Sequence, residues 1–114
     1  MSKSYAQIVQ ELNTYLPKVR TGSPEVMSAF AQIATTATKD GALDKKTKEL
    51  IALAIAIAVR CDGCIGFHTK ALVKLKATQE EINEVCGMSV YMGGGPSLMY
   101  AADAIRAFEE FSKS

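Results

Sequence analysis

The chain has 114 residues, of which 48% are hydrophobic and 22% are charged, and its formal net charge is +1. These values are typical of one globular domain and exclude an intrinsically disordered chain. We therefore expect a single domain over residues 1–114. Acidic and basic residues are interspersed without a basic block, so we expect no nucleic-acid partner.

The N-terminal sequence predicts no secretory signal, because residues 1–13 are amphipathic and too polar for the hydrophobic region of a signal peptide. The longest apolar run, Leu50 to Val59, is half of the about 20 residues that a membrane-spanning helix needs. We therefore expect a soluble, cytoplasmic protein with no membrane partner.

The first two predicted helices carry apolar residues at helical spacing. The first is expected over Ser4 to Leu16, with Pro17 and the TGSP sequence ending it. The second follows Ser23, has Pro24 at its first position and continues to about Thr38. Its expected buried residues are Val26, Met27, Phe30, Ile33 and Ala34.

The third helix is expected from Lys45 to about Arg60, with Asp44 as its N-cap. Its second half is apolar on every face, which requires burial on all sides, either at the centre of the domain or against a second subunit. Gly63 is expected to interrupt this helix, and the fourth helix runs from about Cys64 to Lys76. Its inward-facing residues are expected to be Ile65, Ala71, Leu72 and Leu75.

Two more helices are predicted in the last third of the chain. A capping box formed by Thr78 and Glu81 opens the fifth, which carries Ile82, Val85 and Val90. The sequence Gly93 to Pro96 ends it, and the last helix runs from Ser97 to Phe111. Its expected buried residues are Leu98, Met99, Ala102, Ile105 and Phe108. Since no segment alternates with the period of two typical of strands, the sequence predicts an all-α domain of about six helices.

Residues 61–68, CDGCIGFH, contain two of the three cysteines and the one histidine of the chain. A CxxC pair with a third, separate cysteine at position 86 is not a secreted disulfide framework and indicates redox or metal chemistry. Cys64 is expected in the first turn of a helix, where unpaired N–H groups favour an anion. His68 lies four residues later on the same face and can accept the thiol proton or, when protonated, stabilise the thiolate.

Cys61 is close enough in sequence to form a disulfide with Cys64, so the spacing is typical of a two-thiol redox centre in which one sulfur attacks and the other resolves. The histidine and the helix terminus favour Cys64 as the activated thiol, but spacing leaves the two roles open. Glu49 is about 120° around an ideal helix from Cys61, and periodicity alone does not single it out. A carboxylate there would orient His68 or relay a proton.

The pattern Glu49–x11–Cys61–x2–Cys64–x3–His68 resembles the signature of the carboxymuconolactone decarboxylase superfamily, specifically its alkyl hydroperoxidase D (AhpD)-like members. The likeness extends from about Pro24 to Phe108. It implies an all-helical thiol peroxidase or disulfide reductase in which the two cysteines are the redox pair and the glutamate and histidine relay protons. It also implies a hydroperoxide or other small oxidised substrate, a dithiol reductant or reductase partner, no cofactor, and homo-oligomers, often trimers or hexamers.

The sequence departs from some AhpD-like members, which carry a histidine between the cysteines where this chain has Asp62 and Gly63. Asp62 is a candidate for the missing proton donor. Two alternatives to a redox enzyme stay open. One is a zinc-stabilised structural or interaction module with Cys61, Cys64, His68 and Cys86 as ligands. The other is a non-redox, lyase-like member of the superfamily whose cysteines are incidental.

The remaining candidates have simpler interpretations. Cys86 is expected in the core, because nothing nearby in sequence activates it. The run Gly93 to Gly95 either permits a tight turn with close helix packing or leaves backbone N–H groups free for an anion. Side chains expected to line the core, an interface or an apolar pocket are Met88, Tyr91, Met92, Met99 and Tyr100.

Overall fold

A computed structural model describes residues 3–113 of the chain, and this range contains six α-helices and no strand. The helices are α1 (Tyr5–Gly22), α2 (Pro24–Ala37), α3 (Lys45–Ala58), α4 (Asp62–Lys74), α5 (Gln79–Gly93) and α6 (Gly95–Ser112). The all-α prediction with about six helices is confirmed. None of these helices is long and apolar enough to cross a membrane.

The hydrophobic core is one contiguous cluster formed by α1 and by α3 to α6. Within it, α3 contacts α4, α5 and α6, while α4 lies between α1, α3 and α6. Among the helices of residues 3–113, α2 contacts α1 alone. The fully buried large side chains at the centre are Tyr5, Leu53, Ile57, Ile65, Leu72 and Ile82.

The first helix is longer than predicted, because α1 continues through Pro17 to Gly22. A proline inside a helix leaves the carbonyl four residues earlier, here that of Asn13, without its usual N–H donor. Both residues are exposed, so water can satisfy that carbonyl and the helix need not end. The expectation that Pro17 ends the helix is therefore wrong.

The prediction of a buried face on α2 is wrong for the single chain, since no residue of α2 is buried. Val26, Phe30 and Ile33 are exposed by 68%, 60% and 64%, respectively. Ala34 is also exposed, and Met27 is only half-buried. The apolar spacing is present, but α1 covers too little of it because no other helix lies against α2.

The third helix is covered on one face only. Asp44 caps it as predicted, its carboxylate accepting the Thr47 N–H at 2.8 Å. Leu53 and Ile57 are fully buried. Burial on all sides within one chain is wrong, however, because the opposite face is exposed at Ile51, Ile55 and Val59. Burial of that face against a second subunit stays a prediction.

The break between α3 and α4 is formed by Arg60, not by Gly63 as predicted. Arg60 has a φ of 60°, and its N–H donates to the Ile57 carbonyl at 3.2 Å. The Cys61 N–H donates to the Ala56 carbonyl at 3.1 Å. These two bonds form a Schellman motif, which ends α3 and turns the chain sharply. Cys61 is thereby left outside both helices, at the start of α4.

Gly63 lies inside the first turn of α4, where its role is close packing. A Cβ at Gly63 would lie 2.6 Å from Leu12 Cδ1, and one at Gly66 would lie 2.8 Å from Val9 Cγ2. Real Cβ atoms do not approach other atoms this closely, so a side chain at Gly66 would clash with the β-branched Val9, whereas one at Gly63 would require the flexible end of Leu12 to move. The two glycines therefore allow α1 to pack closely against the cysteine motif.

The turn between α5 and α6 explains the glycine run. Gly94 has a φ of 70°, in the left-handed region that favours glycine. A Cβ at Gly93 would lie 1.9 Å from the Ser97 hydroxyl, so this residue too must lack a side chain. These observations support a tight turn with close helix packing. The predicted capping box at Thr78 and Glu81 is confirmed, with both reciprocal hydrogen bonds present.

The last helix buries a different set of residues from the one predicted. Leu98 and Met99 are 50% and 61% exposed, and Ala102 is exposed as well. Phe108 is buried as expected, and Ile105 is half-buried. The buried stripe consists mainly of small residues that allow close approach, namely Ser97, Ala101, Ala104, Ala107, Phe108 and Phe111. The prediction assigned the larger apolar side chains to the core, and this choice gave the wrong inward face for the helix.

Candidate redox site

A disulfide joins Cys61 and Cys64 at the N-terminus of α4, with their Cα atoms 5.2 Å apart. Cys61 is the N-cap residue, and its sulfur accepts the backbone N–H of Cys64 at 3.1 Å. Both residues are half-buried. The sulfurs thus lie at the positive end of a helix dipole, where a thiolate formed by reduction is stabilised.

Glu49 and His68 form a close pair between α3 and α4, with Oε2 of Glu49 2.6 Å from Nδ1 of His68. The Glu49 side chain is 10% exposed and that of His68 is 33% exposed. In the tautomer that carries its proton on Nδ1, His68 donates this hydrogen bond to the Glu49 carboxylate. The other ring nitrogen, Nε2, is then free to accept or deliver a proton.

The sequence placed His68 one helical turn after Cys64, and the structure adds what holds its ring. Glu49 reaches the imidazole from the neighbouring helix, although periodicity left its direction open. A carboxylate that fixes the orientation of a histidine is one part of the usual arrangement for activating a cysteine nucleophile. The four predicted site residues form two pairs, the disulfide at the start of α4 and a carboxylate–imidazole pair between α3 and α4, and His68 follows Cys64 by one helical turn.

Asp62 faces α1 rather than the Glu49–His68 pair. Its carboxylate accepts the Tyr5 hydroxyl at 3.0 Å and is 3.0 Å from Nζ of Lys3. Burial and the hydrogen bond to Asp62 raise the pKa of the Tyr5 hydroxyl well above its ordinary value, so Tyr5 stays a donor. Sequence reasoning missed Lys3 and Tyr5, because nothing in a separation of more than 50 residues indicates contact. Asp62 accepts hydrogen bonds from both donors, and its role as a replacement for the absent histidine stays a prediction.

The zinc ligand set proposed from the sequence is not brought together. Cys86 lies in the core, where its thiol donates to the Ala101 carbonyl at 3.7 Å. Burial raises the pKa of the Cys86 thiol, which makes it less reactive. Within residues 3–113, no three side chains of the His, Cys, Asp and Glu types are grouped to hold a metal ion. The zinc-module alternative therefore finds no support, and Cys86 is a core residue as expected.

Two apolar grooves lie close to these elements. One, of about 460 Å³, lies between α1 and the first turn of α4 and is lined by Ile8, Glu11, Leu12 and Tyr15 of α1 together with Asp62 and Gly63 of α4. The other, of about 420 Å³, lies between α3 and α5 and includes Met88. Of the five side chains predicted to line the core, an interface or an apolar pocket, four are exposed, namely Met88, Tyr91, Met92 and Met99.

Residues 24–107 match the carboxymuconolactone decarboxylase family. The chain belongs to the carboxymuconolactone decarboxylase family. The matched range agrees with the extent of the resemblance seen in the sequence. An uncharacterised protein of Cupriavidus necator is 40% identical over 99 residues, which cover 87% of this chain and 88% of that protein.

Solved structures of family members share the fold. Apo-lpg0406, a carboxymuconolactone decarboxylase family protein from Legionella pneumophila, is 62% identical, with a TM-score of 0.92 and coverage of 95% of this chain and 96% of that chain. The family member TM1620 from Thermotoga maritima, described as "possibly involved in antioxidative response", is 30% identical with a TM-score of 0.78. That comparison covers 97% of this chain and 92% of the other. The fold is therefore that of this family.

Proposed function

We propose that this family member is a thiol-dependent oxidoreductase, a peroxidase or disulfide reductase of the AhpD type, that works through Cys61 and Cys64. The observation that carries the proposal is the Glu49–His68 pair, whose atoms lie 2.6 Å apart on α3 and α4. It holds a proton carrier one helical turn from Cys64, beside a disulfide that is already formed. The antioxidative description of the Thermotoga maritima relative supports the same class of reaction.

The proposed reaction begins with the reduced pair. His68 accepts the thiol proton of Cys64, and the thiolate attacks the terminal oxygen of a hydroperoxide. The O–O bond breaks, the sulfur is oxidised to a sulfenic acid, and His68 returns the proton to the departing alkoxide, which leaves as an alcohol. The thiol of Cys61 then attacks the sulfenic sulfur, forming the disulfide and releasing water.

The disulfide is the product of this half-reaction and the starting point of the next one. An external dithiol, free or in a reductase, forms a mixed disulfide and then leaves as its own cyclic disulfide, returning two electrons and two protons to the cysteines. Each cycle therefore consumes one hydroperoxide and one dithiol, and yields one alcohol, one water and one disulfide. No further oxidant or cofactor is needed for the balance.

The groove between α1 and the first turn of α4 supports an organic substrate rather than hydrogen peroxide alone. Its lining combines the apolar side chains of Ile8 and Leu12 with Glu11, Asp62 and Gly63, and Gly63 is a residue of the CxxC motif. An apolar substituent bound there would be removed from water, which contributes about 25 cal/mol for each Å² buried. We therefore propose an alkyl or aryl hydroperoxide as the preferred peroxide.

The experiment is steady-state consumption of cumene hydroperoxide and hydrogen peroxide with a dithiol in excess. Cys61→Ser and Cys64→Ser are expected to lose turnover by about 100-fold or more, and His68→Gln by about 100-fold, because proton transfer contributes that much in such sites. Cys86→Ala is the matched control, since it removes the third thiol from the core, and it is expected to retain wild-type turnover.

A single-turnover experiment assigns the two sulfurs. Reduced Cys61→Ser is expected to consume one equivalent of peroxide and to stop at a sulfenic acid, whereas Cys64→Ser consumes none. The reverse pattern would exchange the roles of the two cysteines and leave the class of reaction intact. If the double serine variant consumes peroxide like the wild type, the proposed function is wrong. Normal turnover of an unrelated substrate by that variant would favour the lyase-like alternative.

We also propose that the protein assembles with copies of itself, as a trimer or a hexamer. The support is the apolar surface that one chain leaves uncovered on two helices. On α2 it consists of Val26, Phe30 and Ile33, and on α3 of Ile51, Ile55 and Val59. Contiguous apolar surface of this kind is characteristic of subunit contacts.

A further inference from the structure

We propose that Lys3 and Tyr5 are positioning residues for the redox pair, acting through Asp62 to offset the negative charge that this residue places between the two cysteines. The inference rests on the proposed function and extends it to the N-terminal segment of the chain. Neither residue belongs to the Glu49–Cys–Cys–His pattern, and neither contacts Cys61 or Cys64 through any hydrogen bond in the structure.

The geometry shows how Asp62 is held. It occupies the first turn of α4, directly after Cys61, the residue whose sulfur caps the helix. The Tyr5 hydroxyl donates to its Oδ1 at 3.0 Å, and Nζ of Lys3 lies 3.0 Å from Oδ1 and 3.1 Å from Oδ2. Tyr5 is fully buried, so its hydroxyl has a fixed direction. Both donors come from the α1 side and hold the carboxylate on that side of the motif.

The segment that supplies these donors is itself tethered at a second point. Glu110 of α6 accepts the backbone N–H groups of Tyr5 at 3.1 Å and Ala6 at 3.0 Å, and the Ser4 hydroxyl at 2.9 Å. The start of α1 is thus attached to α6 through backbone and side-chain atoms and to α4 through side chains. This double attachment limits movement of the Tyr5 hydroxyl away from Asp62.

Lys3 and Arg106 offset part of the negative charge around Asp62. Lys3 also lies 3.2 Å from Asp103 of α6, and Asp103 pairs with Arg106. The hydrogen bond to Asp62 raises the pKa of the Lys3 ammonium group, which keeps it charged. The other charged groups on this side are Glu110 of α6, which interacts with Arg106, and Glu11 of α1, which lines the same groove as Asp62. Elsewhere around the motif, Arg60 precedes Cys61 directly, and the Glu49–His68 pair lies between α3 and α4.

The cation and the hydrogen-bond donor on Asp62 matter because the Asp62 carboxylate and a thiolate both lie at the N-terminus of α4 and repel each other. A carboxylate near a thiol disfavours the thiolate, and opposite charges or hydrogen-bond donors on that carboxylate weaken the repulsion. Removing a donor from Asp62 should therefore make the reduced pair less acidic and the disulfide harder to reduce. Removing the charge of Asp62 should have the opposite effect.

The test is a thermodynamic cycle on Tyr5→Phe, Asp62→Asn and the double variant. Each purified disulfide form is equilibrated with dithiothreitol, which is oxidised to its cyclic disulfide as the cysteines become two thiols. Tyr5→Phe is expected to shift the equilibrium constant threefold to tenfold toward the protein disulfide, where tenfold corresponds to about 30 mV. Asp62→Asn is expected to shift it toward the dithiol. In the Asp62→Asn background, Tyr5→Phe is expected to change nothing.

A second readout is the rate at which iodoacetamide alkylates the reduced pair as a function of pH. Tyr5→Phe should raise the pH at the midpoint of alkylation, and Asp62→Asn should lower it. If the two residues had only a structural role, the variants would change thermal stability but would not shift this midpoint in opposite directions. Lys3→Gln, a change at a partly exposed side chain, should act in the same direction as Tyr5→Phe and covers the case in which the tyrosine variant does not fold. Tyr91→Phe, at a tyrosine 78% exposed on α5, is the matched control.

The inference is overturned if Tyr5→Phe and Lys3→Gln leave the equilibrium constant within twofold of the wild type. It is also overturned if Tyr5→Phe has the same effect with and without the Asp62 carboxylate, because the tyrosine would then act through the fold. Since no peroxide is used, these outcomes are separate from the proposed function. If the variants shift the disulfide equilibrium as expected but the protein reduces no hydroperoxide, the proposed function is wrong and the positioning role stands.

Discussion

Helices α2 and α4 are nearly equal in length, with 14 and 13 residues, and both carry apolar side chains at helical spacing. Their surroundings differ completely. α4 lies between α1, α3 and α6, while α2 contacts α1 alone. Four residues of α4 are buried and none of α2. Periodicity therefore identifies an apolar face, whereas the neighbouring elements decide whether that face becomes core or an interface.

The largest effect expected from this comparison is on stability, and one isoleucine on each helix tests it. Ile65 of α4 is fully buried, so Ile65→Ala should lower the free energy of unfolding by about 2–5 kcal/mol through lost contacts and a cavity. Ile33→Ala on α2 should change the unfolding of the dissociated chain by less than about 0.5 kcal/mol. Urea unfolding at several protein concentrations separates the two. If Ile33→Ala lowers the free energy of unfolding at high dilution as much as Ile65→Ala does, α2 is part of the chain's own core.

A charge on the exposed face of α2 should break assembly without unfolding the chain. Phe30 is 60% exposed in the single chain, and we expect Phe30→Glu to weaken subunit association by about 2 kcal/mol or more, because an apolar anchor is replaced by a charge. Light scattering at micromolar concentration should then give the mass of a monomer, with helix content unchanged. Ser28→Glu adds the same charge to the opposite face of α2 and should keep the oligomer. A wild-type monomer would contradict the proposed assembly.

The close approach of α1 to α4 predicts an intermediate effect at Gly66. A Cβ there would lie 2.8 Å from Val9, which is 2% exposed and β-branched, so Gly66→Ala should cost about 1–3 kcal/mol from overpacking. In a Val9→Ala background the clash is absent, and the same change should stabilise through helix propensity. Gly87→Ala on α5, where nothing lies within 4 Å, is the control and should stabilise by about 0.5–1 kcal/mol. Additive effects at positions 9 and 66 would argue against the contact.

The smallest expected effect concerns the attachment of α1, the helix that joins the two regions. Burial raises the pKa of Glu110, but the hydrogen bonds from Ala6, Tyr5 and Ser4 outweigh it and hold the pKa below its ordinary value. A lowered carboxyl pKa stabilises the fold above the unfolded-state value of about 4.3, and this contribution disappears as the pH falls through the lower folded value. Glu110→Gln should therefore cost about 0.5–1 kcal/mol at pH 7, as for a lost helix cap on a partly exposed group.

The corresponding measurement is thermal unfolding of the wild type and Glu110→Gln between pH 3 and pH 7. The two curves should converge in acid, because the wild-type carboxylate is then protonated. Glu109→Gln, at the exposed neighbouring position, is the control and should follow the wild type throughout. A constant difference between Glu110→Gln and the wild type at all pH values would contradict an ionised cap.

Much of the candidate site follows from local sequence. Cys61, Cys64 and His68 lie within eight consecutive residues, and the helix that holds them begins where the thiols are. Their mutual placement is therefore a property of about two helical turns. Glu49 required the family resemblance, because its contact with His68 depends on how α3 crosses α4. The periodicity of a single helix gives no information on how two helices cross.

The interpretation of glycines shows the same limit. Gly63 looked like a helix breaker, because glycine has a low helix propensity. In the fold it is an ordinary helical residue whose missing side chain accommodates Leu12, while the break falls at Arg60, a residue with no such signal. Pro17 likewise failed to end α1, since the carbonyl it leaves unpaired lies in solvent.

Local sequence was enough to predict an all-helical chain, the caps at Asp44 and Thr78 and the CxxC–histidine spacing, because these depend on interactions within a few residues. Which apolar faces are covered, and that Glu49 contacts His68, follows from the tertiary structure alone. It alone brought the Tyr5 hydroxyl to Asp62. These features depend on contacts between elements far apart in the chain, where packing geometry rather than local preference selects the neighbours.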